Sequence, residues 1–185
     1  MKKFWIAFTL VVVVSFIVLS WAGVKIYQGA PPIPEKVATP DNKIVFTKED
    51  IQDGQNIWQA LGGMEVGSVW GHGSYVAPDW SADWLHRELI AVLDLFAKEQ
   101  FNKNYTELGY EEQAALRARL QNMYRKNTYY GNNILISKER SRAIENNIVY
   151  YSDIFSNGRN DYAIRKGSLT DPDKLRKLSA FFLYN

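Results

Sequence analysis

The stretch that decides the fold reads Gly71-His72-Gly73-Ser74-Tyr75-Val76-Ala77-Pro78-Asp79-Trp80 and continues through Asp83-Trp84-Leu85-His86-Arg87-Glu88. Gly62, Gly63, Gly67, Gly71 and Gly73 fall within twelve positions, too dense for a regular helix, so residues 62–79 read as an ordered loop that wraps something. Pro78, Asp79 and Ser81 then set up a helix start. Trp84, Leu85, Leu89, Val92, Leu93, Leu95 and Phe96 supply its broad apolar stripe, through about Lys98. The window Trp58–Glu88 holds four of the six tryptophans and both histidines, and residue chemistry alone leaves three readings open. His72 and His86 with Asp79, Asp83 or Glu88 would make a metal site, but the spacing matches no ligand motif. Gly71-His72-Gly73 would suggest a nucleotide loop, but no strand–glycine–helix context or phosphate-binding lysine follows. The plainest reading is an aromatic core of Trp70, Tyr75, Trp80 and Trp84, with glycines letting the backbone pass closely.

Outward from this window the pattern is helical. Thr47 and Asp50 resemble a capping box for a helix over about 48–61, stopped by Gly62-Gly63. A third helix is predicted over about 111–126, with Leu116, Leu120, Met123 and Tyr124 inward. Residues 129–133 read as a turn and 134–136 as a short extended piece. Ser137 is an N-cap for a helix from Lys138 to about Phe155, whose stripe is Ile144, Ile148, Tyr151 and Phe155. Thr170-Asp171-Pro172 caps a last helix that turns apolar at Leu178–Tyr184. That pattern is still building at Asn185, so residues 171–185 are expected to open a second membrane helix.

Toward the N-terminus, Phe4–Val24 carries no charge over 21 residues, which at 1.5 Å per residue spans roughly 32 Å, the hydrocarbon thickness of a bilayer. The run is longer than the apolar region of a cleaved signal peptide, so residues 1–27 are expected to be an uncleaved transmembrane anchor. Trp5, Trp21 and Tyr27 sit near its ends, as interfacial rings do, and Lys2 and Lys3 orient the N-terminus to the cytoplasm. Residues 28–46, with Pro31, Pro32, Pro34 and Pro40, read as an extended linker. Residues 47–170 read as the extracytoplasmic domain.

Composition narrows the function. There are 22 Lys+Arg against 20 Asp+Glu, and without Lys2 and Lys3 the remaining 20 and 20 balance, which argues against nucleic acid as a partner. The absence of cysteine removes disulfides, zinc-thiolate sites, iron–sulfur clusters and covalent c-type haem.

In the order Gly54-Gln55-Asn56-Ile57-Trp58, then 71–80, then 83–88, the chain resembles the amino-terminal part of quinol-dependent nitric oxide reductases of the haem–copper oxidase superfamily. It also resembles the cytochrome c subunit of the two-subunit relatives, in which Cys-x-x-Cys-His is followed by Gly-x-Gly-Ala-Tyr. Anchored on Gly71, Gly73, Ser74 and Tyr75, that pattern puts the thioether cysteines at Gly63 and Val66 and the haem-ligating histidine at Gly67. The resemblance therefore implies a mostly α fold. One transmembrane helix precedes a cytochrome-c-like domain without haem, which ends at the start of a second membrane helix. Bulky residues such as Trp70 are expected to fill the vacated volume.

The resemblance also implies a metal or water site at Gly73 and Tyr75, with calcium as the candidate ion. It makes His86 and Arg87 candidates for contacts toward haem propionates. Haem b, a second haem and non-haem iron would belong to a catalytic part outside this chain, on the same polypeptide or a partner subunit. Its electrons would come from the quinol pool of a bacterial inner membrane, and a second copy of the chain is a further candidate partner. The contrasting reading is a stand-alone membrane-anchored binding or sensory module.

Overall fold

The computed structural model describes residues 2–29, 32–71 and 77–184, in two compact units, Met1–Pro32 and Ile33–Asn185. The first unit is helix α1, Lys2–Gly29. None of its side chains is buried, and among the described residues it is the one helix long and apolar enough to cross a membrane. Its 28 residues give a length of about 42 Å.

The second unit is built from strands β1 (Lys36–Ala38) and β2 (Ile44–Thr47), helices α2 (Lys48–Ala60), α3 (Trp80–Phe101) and α4 (Tyr110–Tyr124), strands β3 (Tyr129–Tyr130) and β4 (Asn133–Leu135), and helices α5 (Lys138–Asn157) and α6 (Pro172–Tyr184). The strands form one small sheet in the order β2-β1-β4-β3, with β1 and β4 parallel and the outer pairs antiparallel. The extended linker expected up to residue 46 is thus partly sheet. Pro34 and Pro40 lie outside β1, so neither removes a donor from its ladder, and Thr39 to Asn42 forms the turn into β2.

Helix boundaries follow local chemistry. The Thr47 and Asp50 side chains cap α2 reciprocally, the Asp79 carboxylate accepts from the Ala82 amide at the start of α3, and the Ser137 hydroxyl accepts from the Arg140 amide at the start of α5. Gly62 and Gly63 leave α2 through left-handed backbone, with φ of 123° and 57°.

Helix α6 crosses α2 at Gly54. A β-carbon at that position would lie 2.0 Å from the Lys177 carbonyl oxygen and 2.8 Å from Cβ of Phe181, so only glycine allows the approach. The rings of Trp58 and Phe181 pack beside the crossing, 5.4 Å apart, and Lys177 bonds Asp53 across it at 3.0 Å. Leu175, Leu178, Ala180, Phe181 and Phe182 are buried. Over Leu178–Phe182 the last helix packs into the core of the second unit. Gly54→Ala is expected to destabilise the unit by about 1–3 kcal/mol in chemical denaturation, because overpacking at the crossing exceeds the roughly 1 kcal/mol that alanine gains in helix propensity.

Two hydrophobic clusters share α3. The first surrounds Trp80 and Trp84 between α2, α5 and α6; the second joins Val92, Leu93 and Phe96 to Leu116 and Leu120 of α4. Glu88 lies on α3 between them, fully buried.

Candidate functional site

The loop after α2 and the first turns of α3 form one unit built around Trp80. Ser68 and Asp79 join the loop's two ends, with the Ser68 amide donating to the Pro78 carbonyl and the Trp80 amide to the Ser68 carbonyl. The Asp79 carboxylate accepts from the Ser68 and Ser81 hydroxyls and from the Gly71 and Ala82 amides. Partial burial pushes its pKa up, but these donors outweigh it and hold the group below the usual 3.8. Asp79 therefore contributes stability that is complete above the unfolded value and is lost as pH falls through the folded one. Asp79→Ala should lower stability by about 1 kcal/mol at neutral pH and flatten the decline of the melting temperature below about pH 4.

The Trp80 indole is completely buried. It stacks on Phe182 at 5.0 Å and Tyr162 at 5.8 Å and meets Tyr151 edge-on at 5.9 Å, while its N–H donates to the Val66 carbonyl at 3.1 Å. Gly67 has a φ of 133°, and a β-carbon there would sit 2.1 Å from Trp80 Nε1. Trp80, not Trp70, fills this space. Trp70 stands 66% exposed on a left-handed turn with φ 60°, its amide held by the Ser81 hydroxyl, so its ring points away from the core.

One helical turn further, Asp83 gathers a polar cluster. Its carboxylate accepts from Tyr151 at 2.7 Å, Tyr162 at 3.2 Å and Arg87 Nε at 3.0 Å. Arg87 also donates to the Tyr162 hydroxyl at 2.7 Å, and its guanidinium lies 3.7 Å above the Tyr150 ring. The Tyr150 and Tyr162 hydroxyls are 3.1 Å apart. Burial works to lower the Arg87 pKa, but Asp83 and Tyr162 hold it raised; burial and Asp83 both raise that of Tyr151. A third knot lies at Glu88, which accepts from Trp84 Nε1, the Tyr124 hydroxyl and Arg140 Nε at 3.1, 2.7 and 2.7 Å, tying α3, α4 and α5 together.

Of the residues singled out by sequence, His86 and Arg87 come together, lining an open groove of about 330 Å³ with Ile90, Asp94, Asn146 and Tyr150; His86 is exposed. Asp79, Asp83 and Glu88 each belong to a different hydrogen-bonded knot, and no group of three or more metal-ligating side chains occurs among the described residues. His72 and the proposed calcium or water site at Gly73 and Tyr75 lie outside the described residues. Sequence reasoning missed Tyr150, Tyr162 and Arg140 as partners of α3. They join it from 52 to 79 positions away, and no local motif announces them.

The NorB cytochrome c-like domain family, a domain of nitric oxide reductase, matches residues 34–185. This chain belongs to that family. A search of curated proteins found no match. The cytochrome c-like name raises the question of haem, and the residues do not fit covalent attachment. Attachment takes two cysteine thiols, bonded as thioethers, with an axial imidazole on the iron. On the register of the resemblance those positions hold Gly63, Val66 and Gly67, and a side chain at 67 would run into Trp80. The NorB-type domain of this chain is instead closed around an aromatic plug.

Proposed function

We propose that this chain is the anchor and outer domain of a quinol-dependent nitric oxide reductase. The full enzyme would convert two nitric oxide molecules and one quinol into nitrous oxide, water and quinone, which balances two electrons and two protons. In this reading residues 1–27 hold the domain at the inner membrane, the N-terminus is cytoplasmic, and residues 47–170 lie outside, covering the haem-bearing catalytic part. Residues 171–185 lead toward that part. His86 and Arg87 are assigned to contacts toward haem propionates, and Gly73 with Tyr75 to a calcium or water site.

The observation that carries the quinol assignment is the replacement of the haem-attachment residues by Gly63, Val66 and Gly67, with Trp80 against the last of them. A soluble cytochrome delivers electrons through a haem on the outer domain. A domain closed around an indole offers no such relay, so electrons must enter from the membrane. The test is nitric oxide consumption by native membranes that contain the full enzyme. A reduced quinol analogue should sustain turnover, and a reduced soluble cytochrome c should not; the reverse preference would overturn the reading.

A further inference from the structure

One hydrogen-bond partner is enough to satisfy a buried tyrosine hydroxyl as a donor. Around Asp83 the arrangement is different. One carboxylate accepts from two phenols, Tyr151 and Tyr162, and a third phenol, Tyr150, meets the second of them. The same rings are continuous with two buried indoles: Trp84 stacks on Tyr151 at 5.3 Å and Trp80 on Tyr162 at 5.8 Å. Arg87 pairs with Asp83, and the carboxylate stands within hydrogen-bond reach of both phenols. Four electron-rich rings are thereby in contact, and the two phenols among them have a built-in proton acceptor.

We propose that the Asp83-centred tyrosine cluster is the preferred site of one-electron oxidation and nitration in this domain, with nitrogen dioxide as the reagent. Nitrogen dioxide forms wherever nitric oxide meets dioxygen, so its relevance rests on the reductase reading above. It takes one electron from the Tyr162 ring and leaves as nitrite, while the phenolic proton passes to the Asp83 carboxylate. A second nitrogen dioxide adds to the ring radical, and the ring hydrogen leaves as a proton, giving 3-nitrotyrosine. Two nitrogen dioxide molecules are consumed, and one nitrite and one proton are released.

Exposure alone ranks the tyrosines in the opposite order: Tyr110 is 80% and Tyr130 63% exposed, against 9% for Tyr162 and 1% for Tyr151. The chain in detergent micelles is given a limited dose of nitrogen dioxide generated radiolytically from nitrite, and nitrated peptides are quantified by mass spectrometry. The proposal requires Tyr162, followed by its neighbours Tyr150 and Tyr151, to be nitrated ahead of Tyr110 and Tyr130. Asp83→Asn, which removes the proton acceptor, should abolish that preference. Tyr162→Phe keeps the ring stack and should move nitration to Tyr151 or Tyr150. Nitration that starts at Tyr110 and Tyr130 in the unsubstituted chain, or that moves to them in Tyr162→Phe, overturns the proposal. The ranking is read within one chain without nitric oxide turnover, so its failure is separable from failure of the reductase reading.

Discussion

Replacing Trp80 by alanine should cost about 3–5 kcal/mol, the range for deleting a buried tryptophan, and should leave the second unit partly unfolded in a thermal melt. The size follows from its position. The indole touches Tyr151, Phe155, Tyr162 and Phe182, so one deletion empties the space on which α3, α5 and α6 converge. Trp70→Ala is the internal control. Its ring is exposed, and the substitution should change stability by less than about 0.5 kcal/mol, as surface changes do. The ratio between the two variants, read by the same denaturant titration, distinguishes an aromatic plug at 80 from one at 70.

Glu88→Ala is expected to be comparably severe, about 3–5 kcal/mol, because Arg140 would be left nearly buried without its carboxylate. The Arg140 side chain is 17% exposed and the Glu88 side chain 1%, so water cannot take over the lost partner fully. Tyr124 and Trp84 would lose their acceptor at the same time. Replacing both ends by apolar residues of similar size, Glu88→Leu with Arg140→Met, should recover most of the loss, since the pair's net contribution is small compared with the cost of breaking it. Failure of the double variant to recover would mean that the network also fixes the junction of the two hydrophobic clusters.

The helices were legible because their signals are local. Thr47 with Asp50, Asp79 and Ser137 each act within one turn, and the structure uses all of them as caps. Other features were not legible, for distinct reasons. Prolines at 34 and 40 look like strand breakers in a sequence, yet they bracket β1, whose partner β4 lies about a hundred residues away. The packing of Leu178–Phe182 against α2 leaves no mark in local composition, and only the close approach at Gly54 reveals it. Trp70 and Trp80 share a residue type and a glycine-rich context, but the left-handed backbone at 70 turns one ring out while the helix start at 79 turns the other in. The Asp83 and Glu88 clusters needed Tyr124, Arg140, Tyr151 and Tyr162, which reach α3 only through tertiary packing.

Trp80 fills the core against Gly67, the position to which the register of the resemblance assigns a haem-ligating histidine. The most direct test restores the attachment residues, Gly63→Cys, Val66→Cys and Gly67→His together, in a host that matures c-type cytochromes, and then measures cooperative melting and the haem absorption spectrum. The expected result is a chain without a cooperative transition, because any side chain at 67 collides with the Trp80 ring and must occupy left-handed backbone. A folded product with a low-spin c-type spectrum and a melting temperature like that of the unsubstituted chain would contradict it.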